Sequence, residues 1–145
     1  MKATQPNLSL CEHLLRAGKS ILDLQLGIVS YVYNDDYKLI AINDVSNEYK
    51  AGDIVKLDKT YCREVVESGN SIALTEINGI KGLREHPLYV ENTIEAYIGS
   101  PIYLNSEIWG TVNFSSVNVR SNVFSKAEIS LVDSFAKLIS DSIPN

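Results

Sequence analysis

Cysteine, histidine and clustered positive charge are scarce in this chain, and each scarcity removes a class of function. The two cysteines, Cys11 and Cys62, stand far apart. They form neither a disulfide framework nor a paired metal-ligand motif, so both are expected as free thiols in a reducing compartment. Two histidines, His13 and His86, are too few for a multi-histidine metal site, and the carboxylates show no metal-ligand spacing. No metal ligand is therefore assigned. The formal charge of −5 and the absence of any basic cluster argue against a nucleic-acid partner. No apolar run is long enough to span a bilayer, and the opening "MKATQPNLSLCEHLL" lacks the apolar core and cleavage site of a signal peptide. The expectation is a cytoplasmic protein with no membrane partner. A glycine-rich phosphate loop and a nucleophile-elbow motif are also missing.

What is present suits one domain over residues 1–145, with 45% hydrophobic and 21% charged residues, enough to bury a core without staples. "LSLCEHLLRAGKSILDLQ" places Leu10, Leu14, Ile21 and Leu24 at helical intervals, with Leu15 and Leu22 widening the stripe. Asn7 or Ser9 can cap this helix, and Gly18 predicts a bend or a frayed turn in its middle. "GIVSYVYNDDYKLIAIND" reads as a hairpin turning at Asn34-Asp35-Asp36. A short apolar run follows at Ile54 to Leu57. A helix then starts near Thr60 and stops at Ser68-Gly69-Asn70, and "SIALTEI" makes a strand.

Residues 78 to 94, punctuated by Gly79, Gly82 and Pro87, are irregular, and so long a connection suggests function. "EAYIGSPIYLNSEIWGTVNFSS" is the clearest hairpin. Alternation puts Ile98, Ile102, Leu104, Ile108, Val112 and Phe114 on one face. It puts Tyr97, Gly99, Tyr103, Trp109, Thr111, Asn113 and Ser115 on the other. The aliphatic face suits packing helices, and the mixed aromatic and polar face suits a small organic ligand. The closing helix opens with a capping box, Ser125-x-x-Glu128, and a hydrophobic staple, Phe124 with Ile129. Its apolar residues fall in two stripes, so its surplus surface can pair with the first helix or with a second copy. Hairpins with helices gathered at the chain ends predict an α+β fold.

Three stretches in order, "TYCREVVESGNSIAL", "HPLYVENTIEAYIGSPIYLNSEIWGTVNFSS" and "FSKAEISLVDSFAKLISDSI", resemble the GAF domain. The likeness is to bacterial modules found in or beside sensor kinases and diguanylate cyclases, and it covers roughly residues 8 to 143. It implies a central antiparallel sheet of about six strands, with terminal helices on one face and a ligand cleft with the crossover segment on the other. It also implies a small-molecule ligand, dimers formed through the terminal helices, and an output kinase or cyclase. Which ligand or cofactor is bound stays unknown at this point.

The family's known roles can be weighed against these residues. The phosphodiesterase-type signature for cyclic nucleotides is missing, and Asn113-Phe114 is followed by Ser115-Ser116. A covalent bilin would need a cysteine in the crossover, which holds His86 but no cysteine. One branch of the family reduces free methionine sulfoxide, and Cys62 matches one of its cysteine positions. Its attacking cysteine falls about where Val90 stands here. Catalytic residues are therefore assigned nowhere, and the expectation is a sensory, non-enzymatic domain. The alternative is a thiol-dependent reductase or redox sensor using Cys62.

Cys62 itself has two readings. Its spacing to Val65 and Val66 makes it a buried thiol filling core space, whereas a place in the first helical turn would lower its pKa through the helix dipole. The candidate ligand-binding set is Tyr61, Cys62, His86, Tyr89, Tyr97, Tyr103, Thr111, Asn113 and Ser115, with Asn113 the leading polar candidate. Ordinary aromatic packing is the competing account for the tyrosines, and a loop-anchoring role for His86. Cys11 and His13 are assigned no function.

Overall fold

The computed structural model describes residues 5–44, 49–75 and 94–144. Helix α1 (Leu8–Leu22) starts where the Asn7 side chain accepts a hydrogen bond from the Leu10 N–H at 2.9 Å, and it ends on Asp23 in the left-handed conformation. Asn7, not Ser9, is the cap. The helix runs unbroken through Gly18. This glycine provides clearance instead, because a β-carbon there would lie 2.2 Å from Phe114 Cζ. The buried stripe runs through Cys11, Leu14, Leu15, Gly18 and Leu22. Ile21 falls at the margin of that stripe near the helix end and is 59% exposed, not in the core as its spacing suggests.

Strands β1 (Leu26–Tyr33) and β2 (Asp36–Asp44) form the expected hairpin, turning at Asn34, whose φ of 55° an asparagine tolerates. The apolar run near Ile54 becomes β3 (Ile54–Lys56) and a short 3-10 turn (Leu57–Lys59). Helix α2 (Cys62–Ser68) is closed by Gly69 at φ 71° and leads into β4 (Ile72–Leu74). The second hairpin is β5 (Ala96–Leu104) with β6 (Glu107–Ser116), and α3 (Lys126–Asp141) follows. Residues 78 to 93, with His86 and Tyr89, lie outside the described residues.

The strands form one six-stranded antiparallel sheet in the order β3-β2-β1-β6-β5-β4, so the fold is the α+β sheet-and-helix arrangement expected. Helices α1 and α3 cover one face, burying Leu15, Ile98, Val112, Phe114, Val132 and Ile139 among others. The ring of Phe114 meets that of Phe135 edge-on at 6.2 Å. The capping box of α3 is complete: Ser125 Oγ accepts from Glu128 N at 3.1 Å, and Glu128 Oε1 accepts from Ser125 N at 2.8 Å. The second apolar stripe of α3 is split, with Phe135 buried and Leu138 47% exposed.

The opposite face carries a smaller core made of Tyr37, Leu39, Leu57, Tyr61, Cys62, Val65 and Tyr97. Here one expectation fails. Trp109 packs with the helix-side core, 5.2 Å from the Tyr31 ring, and does not share a face with Thr111, Asn113 and Ser115. The cause is a bulge. Ile102 pairs with Gly110 but Tyr103 pairs with Ile108, so Trp109 is an extra residue and the alternation breaks there.

Candidate functional site

The site is built where α2 lies over β6, and local chemistry sets up that approach. Thr60 donates from Oγ1 to the Leu57 carbonyl at 2.9 Å and closes the 3-10 turn. The chain then enters α2 with Tyr61 and Cys62 both turned inward, at 0% and 1% exposure. The Tyr61 ring meets Tyr97 edge-on, with centroids 5.6 Å apart, an arrangement favoured by the ring quadrupoles.

Around the Cys62 sulfur stand polar groups from three strands. Asn113 Nδ2 and Thr111 Oγ1 each donate to Sγ at 3.2 Å. The Tyr97 hydroxyl is 3.1 Å away, and the thiol donates to the Tyr37 hydroxyl at 3.5 Å. Asn113 Nδ2 also donates to Tyr37 Oη at 3.0 Å, and Ser30 Oγ shares a hydrogen with Thr111 Oγ1 at 2.8 Å. One connected network therefore runs from Ser30 through Thr111 to Cys62, Tyr37, Tyr97 and Asn113, all buried.

Electrostatics here oppose the dipole reading of Cys62. Burial raises the thiol pKa, and the hydrogen bonds from Thr111, Tyr97 and Tyr37 only reduce that rise. Tyr37 and Tyr97 are also pushed well above the usual phenol value, first by burial and then by the neighbouring thiol. The group is a neutral thiol in a polar socket. Nucleophilic or metal-binding chemistry at this sulfur needs the thiolate, which burial disfavours. Among the described residues no cluster of three or more His, Cys, Asp or Glu side chains could hold a metal ion.

Beside this network lies a cavity of about 140 Å³. Ile28, Leu39, Val55 and the rings of Tyr37, Tyr61 and Tyr97 make its walls, and Cys62, Asn113 and Ser115 contribute polar atoms. Of the candidate residues, the structure thus brings together Tyr61, Cys62, Tyr97, Asn113 and Ser115. Thr111 sits beneath, bonded to the sulfur. Tyr103 is elsewhere: its hydroxyl donates to the Gly69 carbonyl at 2.7 Å, on the outer edge of the sheet. It meets the closing residue of α2 and does not line the cavity. His86 and Tyr89 lie outside the described residues.

Sequence reasoning missed Leu26, Ile28, Tyr37, Leu39, Tyr49, Val55, Thr60 and Ile94 as lining residues. A signal existed for part of this set, since Tyr37 and Leu39 alternate on one face of β2. That β1 and β2 lie beside β6, and so share its cleft, depends on sheet order that no local pattern carries.

The GAF domain family model matches residues 7–143. Solved structures of the same shape share little sequence. The GAF domain of a phosphoenolpyruvate-protein phosphotransferase from Coxiella burnetii is 16% identical, with a TM-score of 0.75 over 94% of this chain and 82% of that one. The type II free methionine-R-sulfoxide reductase from Thermoplasma acidophilum is 15% identical, with a TM-score of 0.73 over 92% of this chain and 89% of that one. The blue-light absorbing form of the Thermosynechococcus elongatus PixJ GAF domain is 19% identical, with a TM-score of 0.69 over 93% and 81%. No curated protein matches in sequence. No helix among the described residues is long and apolar enough to cross a membrane. The matched span takes in every described element from α1 to α3, and the chain belongs to the GAF domain family.

Proposed function

We propose that this domain is a non-catalytic sensory module that binds a small molecule between α2 and the sheet. The observation that carries this reading is the cavity beside Cys62, apolar on its walls and polar at Asn113 and Ser115, the composition of a ligand pocket. A covalent bilin is disfavoured, because the crossover holds no cysteine and about 140 Å³ holds far less than an open-chain tetrapyrrole. In this reading the protein is cytoplasmic, of the bacterial signalling type, and pairs with a second copy through its terminal helices. The exposure of Ile21 and Leu138 on α1 and α3 supports that pairing. A kinase or cyclase would read the output.

The second reading is a thiol-dependent reductase or redox sensor using Cys62, favoured by the position of its sulfur at the cavity wall. Two measurements separate them. Protein freshly purified and then denatured should release a small molecule detectable by mass spectrometry. The same protein, given free methionine sulfoxide and dithiothreitol, should form no methionine above background. Turnover that disappears in Cys62→Ser would replace the sensory reading with the reductase.

A further inference from the structure

The hydrogen-bond accounting of the cavity leaves two acceptors of buried side chains without a partner. Asn113 is 3% exposed and spends its Nδ2 on Tyr37 Oη and Cys62 Sγ. Its Oδ1 has no hydrogen-bond partner among the described residues. Ser115 is also 3% exposed and lines the same cavity, and its hydroxyl likewise has no partner among the described residues. Neither atom is itself sealed off, since Trp109 Nε1 is the one fully buried side-chain N or O atom without a partner among the described residues; both open onto the cavity, where a ligand's polar edge can pair with them.

Size and charge narrow that ligand. A cavity of about 150 Å³ lined by apolar side chains holds one benzene-sized ring, and this one measures about 140 Å³. Its lining among the described residues contains no lysine, arginine, histidine, aspartate or glutamate. An ion moved into such a lining would lose its hydration without gaining a counter-charge, at a cost of several kcal/mol. The walls present tyrosine rings, whose edge-to-face and offset contacts favour a flat partner.

We infer that the cavity takes a single uncharged ring, aromatic or similarly flat, whose N–H or O–H group donates to Asn113 Oδ1 while Ser115 Oγ bonds the same edge. The inference rests on the sensory reading above and specifies its ligand class. Cyclic nucleotides, which carry a phosphate, and zwitterionic amino acids find no counter-charge in the described lining.

Four probes isolate the contributions: phenol, toluene, benzoate and cyclic AMP, titrated into the full chain by calorimetry and by ¹H–¹⁵N chemical-shift mapping. Phenol should bind at least tenfold more tightly than toluene, which lacks the donor, and than benzoate, which adds the charge. Ser115→Ala should weaken phenol several-fold and leave toluene unchanged, with the same circular-dichroism spectrum as the parent. Benzoate or cyclic AMP binding tighter than phenol at this cavity would overturn the inference and leave the sensory reading standing. Equal affinities for phenol and toluene, or a Ser115→Ala protein with unaltered phenol affinity, would overturn it too. Failure of every probe, together with no released small molecule, would overturn both.

Discussion

The side-chain amide of Asn113 donates to the sulfur of Cys62 across 3.2 Å, tying the middle of β6 to the first turn of α2. The contact ranks Cys62 as part of the structure first. A sulfur with four polar neighbours within 3.5 Å sits in a socket that fixes its position. Its 1% exposure and a pKa raised by burial both slow reaction at the sulfur. At pH 7 the folded protein should therefore react with Ellman's reagent at neither Cys62 nor Cys11, which is 0% exposed. In guanidinium both thiols should react within minutes. Rapid modification of Cys62 in the native state would contradict this placement.

Gly18 offers a test of how α1 sits on the sheet. By intrinsic helix preference Gly18→Ala should stabilise by about 1 kcal/mol. The separation of 2.2 Å between a β-carbon added there and Phe114 Cζ predicts the reverse, since that ring is buried and held against Phe135. Overpacking of this kind costs about 1–3 kcal/mol. Urea denaturation should place the Gly18→Ala midpoint below that of the parent. A higher midpoint would show that α1 is not seated as described.

Stability should also fall in alkali. Cys11 is raised from 9.0 to about 11, chiefly by burial, and Cys62 is raised for the same reason. Tyr37 and Tyr97 are raised well above 10.0. Above pH 9 the unfolded chain releases protons that the folded chain keeps, so the native state loses its advantage as pH rises. Each such group contributes a slope of about 1.4 kcal/mol per pH unit between its unfolded and folded values. These groups leave stability flat between pH 6 and 8, and Tm should drop steeply from pH 9 to 11. A Tm unchanged to pH 11 would mean that the thiols and phenols are not buried.

Much of the fold can be read from residue patterns, because alternation and capping are local. The β5–β6 hairpin, the Ser125–Glu128 box and the stop at Gly69 each follow from a few adjacent residues. The misplacements have non-local causes. Alternation puts Trp109 on the polar face by assuming an unbroken register, and the bulge opposite Ile102 and Tyr103 breaks it. Gly18 reads as a weak point in the sequence because the reason for it lies on another element, in the ring of Phe114. The dipole argument for Cys62 holds for an exposed helix start. Desolvation, which depends on what covers the sulfur, outweighs it. Asn113 is identifiable as a polar pocket residue from its strand face. Its partner Tyr37 comes from a hairpin whose place in the sheet no local pattern encodes.

The central claim, that the cavity beside Asn113 and Ser115 holds a small molecule, is tested most directly by native mass spectrometry of two proteins prepared in parallel. One is the parent chain and the other is Ser115→Leu, which fills the cavity from its polar side. The account predicts a mass adduct of one small molecule per parent chain, absent from a Ser115→Leu protein with the same circular-dichroism spectrum. An adduct of equal occupancy on both proteins, or none on a parent chain kept from cell lysis under native conditions, would contradict it.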